Sequence, residues 1–450
     1  MNIDSIEGRE LPLYALIPAV LLVFVLVAVQ ARRTQSLSGT FLLVAIGLRY
    51  ALDALHTFTF GSSPLGMSWN ALASVAIAAV GILVVRRTRG LPLLLLPVAP
   101  WLAAMLASAV LNVDTTDAFI AITKVVYFLV LAIAAYQAAE EIGAARLMQL
   151  LLPVGLVPLA FQAIAIPLGV TKAGEADGSV SYIGGFHHEA AFSLLILNAL
   201  LIVCFADSLR FRSKLLLIGW CGVGLFLANY RTSILAAGPL LVATLFLGST
   251  RSFVREQRLF VAMLLFGVAM VGLTAIGIHS ADRFADLGTV YQRGFGIIQR
   301  PGTFSAEDRH LLSGRAEIWS LYIYTWRDGS AWQHVLGFGP ETWTNVLHLY
   351  AHNTLVSALY ETGVVGVLAL LFLWLTMLVL SLATPSPVRL RLVAAHLTFI
   401  IVNMATMPFW MIEGVLYYAV LCGLTAHYVM LRRAERQGGA EVRGYLPAYG

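Results

Sequence analysis

Arg231, Arg315 and His352 lie far apart in the chain, but they are the residue types that a transfer from a diphosphate requires. A guanidinium fork matches two phosphate oxygens and neutralises a leaving diphosphate. A neutral imidazole accepts the proton of an attacking hydroxyl. Fixed cations placed where charge develops favour the transition state over the ground state. If a sugar is the group transferred, the electrophile is the anomeric carbon of a glycan on lipid pyrophosphate, and direct attack inverts it. Arginines that supply the charge remove the need for a divalent metal. No external D-x-D or histidine-rich cluster argues for one, and no cofactor is expected.

Each residue also has a plainer reading. Arg231, in "LANYRTSILAAG", sits between apolar runs too close for an ordinary loop. It meets either a bound anion or, by snorkelling, lipid phosphates. Thr232 and Ser233 are placed to cap the next helix, whose N-terminus also favours an anion. Arg315 follows Ser313, the predicted N-cap of an amphipathic helix in "LSGRAEIWSLYIYTWRDG". A cation in a first turn opposes the helix dipole, which fits a binding role; a solvated arginine is the alternative. His352, in "YAHNTL", is predicted in the first turn of the following span, where its neutral form is favoured. From position alone, interfacial packing is as open as catalysis.

Several further residues are candidates for substrate binding. Arg49 and Asp53 share a helix face at i, i+4, with His56 one turn on. They read as a packing ion pair or as the lining of an outer vestibule. Lys124 has Ile120 and Phe128 at i±4, so it needs a partner on another helix, an anionic ligand, or a snorkelled path to headgroups. His187 and His188 close the Gly-rich "GSVSYIGGFHHEA" and are either substrate contacts or a surface pair. Trp319 stacks on sugars or sits in the interface, and Asn353 adjoins His352. Glu361 stands nine residues after His352, on nearly the opposite helix face. It is not expected to orient the imidazole. Glu413 and His396 read as structural.

The elements that must hold these groups are membrane helices. Of 450 residues, 59% are hydrophobic and 12% charged, and the mean hydropathy is +0.82. A soluble domain of this composition would expose aggregating surface. The apolar runs are continuous, not alternating as in an outer-membrane barrel. The predicted fold is all-alpha: a polytopic transmembrane bundle of about 12–13 spans with a long, helix-containing excursion. Expected spans are 11–30, 38–57, 68–85, 91–110, 118–136, 147–168, 188–206, 214–229, 233–248, 259–278, 352–379, 391–409 and 412–430. Prolines at 92, 97, 100, 153, 158 and 167 mark kinks or breaks. The organisation is an N-terminal bundle to residue 278, the excursion 279–351, C-terminal helices 352–430 and a polar tail 431–450. Lys and Arg occupy every second loop, which puts the N-terminus and the excursion outside and the C-terminus inside. The N-terminus lacks the basic region of a secretory signal, so the first span reads as an anchor. Cys204, Cys221 and Cys422 all fall in apolar runs and read as packing residues. The charge of +5 reports topology, not nucleic acid.

In the segments "NYRTSILAA", "SGRAEIW", "GFGPETW" and "AHNTLVSALYETGVVG", the chain resembles the O-antigen ligase and polymerase superfamily of bacterial membrane glycosyltransferases. The likeness spans roughly residues 180–380. It implies metal-independent transfer of an undecaprenyl-pyrophosphate-linked glycan at the periplasmic face of the inner membrane. The acceptor would be lipid A core, a growing polysaccharide or protein, with the first two preferred. By segment, His352 looks like the catalytic histidine, Arg315 the loop arginine and Arg231 the arginine beside a late span. The extra first span and the paired "FHHEA" depart from the commoner pattern. Outside this class stand a glycan transporter or flippase and a structural partner of an export complex. A transporter would explain the many spans and intramembrane charges but would not need a large external loop bearing Arg315 and a histidine at the helix mouth.

Overall fold

The computed structural model describes residues 8–112, 116–173, 180–252, 254–261, 263, 264, 267, 271, 288–305, 308, 309 and 311–437. The chain is an all-alpha polytopic bundle. In order, the helices are α1 (Leu13–Thr34), α2 (Leu37–Ala54), α3 (His56–Thr59), α4 (Trp69–Val84), α5 (Leu91–Asn112), α6 (Thr116–Ile142), α7 (Ala144–Gly155), α8 (Val157–Ala165), α9 (Glu189–Phe205), α10 (Phe211–Leu227) and α11 (Arg231–Ser252). After the excursion begins come α12 (Arg315–Arg327), α13 (Ala331–Leu336), α14 (Trp343–Val346), α15 (Thr354–Leu382), α16 (Ser386–Asn403) and α17 (Ile412–Arg436). Two short strands, Lys172–Ala173 and Val180–Ser181, pair antiparallel before α9.

Seven segments are long and apolar enough to cross a membrane: α1, α2, α5, most of α6, the α7–α8 run, α15 and α17. Shorter apolar helices lie at Trp69–Val84, Glu189–Phe205 and Arg231–Phe246. The chain is therefore a multi-pass membrane protein. Every expected span coincides with helix except 259–278, most of which lies outside the described residues. The span at 147–168 is interrupted at Leu156, between Pro153 and Pro158. Neither proline can donate a backbone hydrogen bond, so the helical ladder is already weakened there. The last helix runs to Arg436, past the expected end at 430, because "RRAER" continues the helix with good helix formers.

The core forms where backbones approach most closely. A side chain at Gly423 of α17 would lie 2.6 Å from the Ala132 carbonyl and 2.7 Å from the Ala135 Cβ of α6. Small residues let these two helices pack without a gap, the usual device where lipid provides no hydrophobic drive. All three cysteines are buried and free, as packing residues. At one end of the bundle Arg391 of α16 grips Asp207 with both Nη atoms, at 2.6 and 2.9 Å, and Lys214 reaches the same carboxylate at 3.2 Å.

The excursion is docked onto the bundle. Tyr322, Ala351, Tyr360 and Met407 form a buried cluster with Phe338, Trp343, Tyr350 and Trp410 around it. The "GFGPETW" segment binds a kink in α15. Gly363 has φ +63, outside helical values, which leaves nearby carbonyls without their helical donors. Phe338 N–H donates to the Tyr360 carbonyl at 2.9 Å, and Gly339 N–H donates to the Glu361 carbonyl at 3.0 Å. Ser108 of α5 adds its hydroxyl to the Glu361 carbonyl at 2.7 Å. The backbone donors of the loop thus replace the ladder that the kink removes.

Candidate functional site

His352 is held by the residues on either side of it. Its neighbour Ala351 accepts the Trp319 indole N–H at 2.8 Å. On the other side, the Asn353 Oδ1 accepts from Leu355 N at 2.9 Å and Val356 N at 3.1 Å, so Asn353 caps α15. The Asn353 Nδ2 donates to Met404 O at 3.0 Å. Tyr350 meets the His352 ring edge-on, with centroids 4.7 Å apart. Its hydroxyl accepts from Met407 N at 2.8 Å. His352 therefore lies one residue before the cap, not in the first helical turn expected for it. It has φ +53, a left-handed conformation uncommon outside glycine. Such strain persists where surrounding contacts over-determine it.

Arg315 arrives by a similar route. Leu312, Ser313 and Gly314 have φ of +54, +57 and +82. Gly314, not Ser313, occupies the N-cap position of α12, and Arg315 is its first residue. A left-handed Ser313 cannot present its hydroxyl as a simple cap, which needs extended backbone. Trp319 follows Arg315 by one turn on the same face, so the indole bond to Ala351 brings that face of α12 against the His352 turn.

The charge of Arg315 reaches the imidazole. Burial, then Arg315, then His188 lower the His352 pKa to about 3. The ring is neutral at physiological pH, and its buried Nδ1 has no hydrogen-bond partner among the described residues. His188 is likewise lowered to about 4, by burial first and then by Lys172 and His187, against the opposing charge of Glu189. It caps α9 by accepting from Ala190 N at 3.1 Å.

A cavity of about 520 Å³ opens beside these groups. Of the residues singled out from sequence, Arg49, Asp53, Lys124, His187, His188, His352 and Glu413 line it. Arg231, Arg315, Trp319 and Asn353 are not among the residues that line it. Trp319 and Asn353 commit their polar groups to backbone and position the His352 turn. Arg231 begins α11, next to Tyr230, whose hydroxyl donates to Ala405 O at 3.1 Å. The 403–407 turn thus receives Tyr230, Tyr350, Asn353 and Thr354 together.

Lys124 finds its partner on the excursion, in an ion pair with Glu341 of "GFGPETW". Arg49 pairs with Asp53 at 2.8 Å, as the spacing implies, and also with Glu413 and Asn70. His187 packs its ring between His56 and Phe60, with centroids 5.4 and 4.9 Å away. Glu361 does not meet His352. It accepts from Ser357, from Glu341 N at 2.8 Å and from the Trp410 indole at 3.3 Å. Glu341, Asn70 and the cavity-facing role of Glu413 were not evident from sequence. Their partners lie 217, 21 and 364 residues away. Among the described residues, no group of three or more His, Cys, Asp or Glu is arranged to hold a metal ion.

The chain matches no family model, and no curated protein matches it.

Proposed function

We propose that this protein is a membrane glycosyltransferase. It moves a glycan from undecaprenyl pyrophosphate to an acceptor hydroxyl, as its resemblance to the O-antigen ligases and polymerases implies. The observation that carries this reading is a neutral, cavity-lining His352 whose Nδ1 is uncommitted, beside the positive charge of Arg315. The imidazole takes the proton of the acceptor hydroxyl as its oxygen attacks the anomeric carbon. The bond from that carbon to the pyrophosphate oxygen breaks on the opposite face, and the configuration inverts. Arg315 and Arg231 receive the charge that develops on the departing diphosphate. On this reading the site faces the periplasm from the bacterial inner membrane, and the acceptor is lipid A core or a growing polysaccharide.

The electrostatics lead to a pH signature. A base lowered to about 3 is present in its working form across the physiological range, but it is a weak proton acceptor. A bound diphosphate offsets the charge of Arg315, which is one of the causes of that lowering. The pKa of His352 therefore rises when donor binds. The acidic limb of kcat/KM, which reports the free enzyme, is expected well below pH 6.5. The limb of kcat, which reports the complex, is expected at higher pH. Coincident limbs at the ordinary imidazole value would contradict this arrangement.

The decisive experiment is turnover by purified protein, with lipid-linked glycan as donor and lipid A core, a second lipid-linked repeat and a peptide offered separately. Transfer to one acceptor supports the enzyme and names its class; transfer to none removes the reading. Arg315→Lys and Arg231→Lys should each lower kcat by roughly 10–100-fold, since a point charge does not reproduce the fork. Unchanged rates in both would mean that neither arginine serves the leaving group.

A further inference from the structure

We propose that the floor of the cavity, built by Arg49, Asp53, Asn70 and Glu413, is a subsite for the hydroxyl groups of a sugar ring. The proposal takes its ligand class from the glycosyl-transfer reading, but its geometry is separate from that of His352. The four residues come from α2, α4 and α17, and all of them line the cavity. Arg49 organises them, with one Nη on Asn70 and the other shared between Glu413 and Asp53. Asp53 is only 4% exposed. Its Oδ1 is ion-paired with the guanidinium at 2.8 Å, and the same Nη atom also serves Glu413, so one donor is shared between two carboxylates. A carboxylate has about four lone-pair sites, so two buried carboxylates sharing one guanidinium nitrogen keep acceptor capacity that a ligand rich in O–H groups can take.

The composition of the floor selects the ligand. Asn70, which lines the cavity, commits its carbonyl oxygen to Arg49, so its amide nitrogen remains available as a donor. Carboxylate acceptors next to an amide donor match a hydroxyl, which both gives and takes. One guanidinium faces two carboxylates, so the floor has no surplus positive charge to attract a diphosphate. Arg49 lies among the carboxylates, where it repels a metal cation. Phe60, Trp410 and Met411 supply apolar wall for the C–H faces of a sugar. The cavity volume lies within the usual range for small-molecule sites, about 300–1,000 Å³. On this reading the Arg49 cluster supplies acceptors for the glycan within the same cavity that His352 lines.

The test is equilibrium binding by the full-length, detergent-solubilised protein. The probe is the repeat-unit oligosaccharide released by mild acid from the cell's own lipid-linked glycans. Asp53→Asn keeps the shape and removes the charge; Asn70→Ala removes the amide and leaves the Arg49–Asp53 pair in place. Binding is expected to weaken roughly 10- to 100-fold in the first and several-fold in the second. If Asp53→Asn does not fold, Asn70→Ala decides alone. No binding to the unmutated protein, or unchanged binding in the folded variants, overturns the subsite. Transfer from lipid-linked donor, assayed in parallel, separates the two ideas. Binding that falls in the variants, without any transfer, keeps the subsite and removes the enzyme. Transfer with binding unaltered in the variants keeps the enzyme and removes the subsite.

Discussion

Replacing His352 by alanine is expected to abolish glycan transfer while the protein still inserts and accumulates. The side chain lines the cavity, and its buried Nδ1 has no partner among the described residues, so little of the fold depends on it. The contacts that fix this turn come from its neighbours: Ala351 through Trp319, Asn353 through its cap and Met404, and Tyr350 through Met407. Alanine leaves all of these in place. Loss of a general base lowers turnover by roughly 10²–10⁴-fold, enough to remove detectable transfer in a purified assay. Accumulation of the variant in the membrane at the normal level is the companion measurement. Retained transfer would take away the proposed base.

The second large effect is on folding. Gly363→Val is expected to prevent accumulation of the protein. Gly363 has φ +63, a region that costs a β-branched residue roughly 1–3 kcal/mol. A Cβ there would also lie 2.4 Å from the Val335 carbonyl carbon and oxygen. Those atoms are backbone and cannot swing aside as a side chain would. Gly337 makes the reciprocal approach, where a Cβ would lie 2.3 Å from the Glu361 carbonyl carbon. Overpacking of this kind adds about 1–3 kcal/mol, and together the two cost about 2–6 kcal/mol, a large share of the roughly 5–15 kcal/mol that holds a typical domain folded. Thermal unfolding in detergent, or the level of membrane-inserted protein, reads the effect. A variant that accumulates with unchanged stability would show that the loop is not clamped to the kink.

The helices were legible because each apolar run carries its own signal. The Arg49–Asp53 pair was legible because both partners sit on one helix, four residues apart. Their third partner, Glu413, belongs to the last helix, and no local pattern links it to α2. Lys124 was recognised as needing a partner, but Glu341 was reached only through the docking of the excursion. The kink escaped because "LYETGVVG" reads as continuous apolar helix. A single glycine inside a span does not say whether the chain bends. The exact place of His352 was closer to hand: Asn353 is a strong N-cap type, and its presence directly before the apolar run would have put the histidine outside the helix.

The placement of His352 just outside its helix binds three distant stretches into one inheritance. The imidazole takes its position from Trp319 in the excursion, from Asn353 at the helix mouth and from the 403–407 turn that receives Tyr350. A graft of residues 288–350 from a relative would carry new partners to an old turn and misplace the histidine while leaving its codon intact. Change in that excursion must therefore keep step with the turn between α16 and α17, so these segments should diversify as a set.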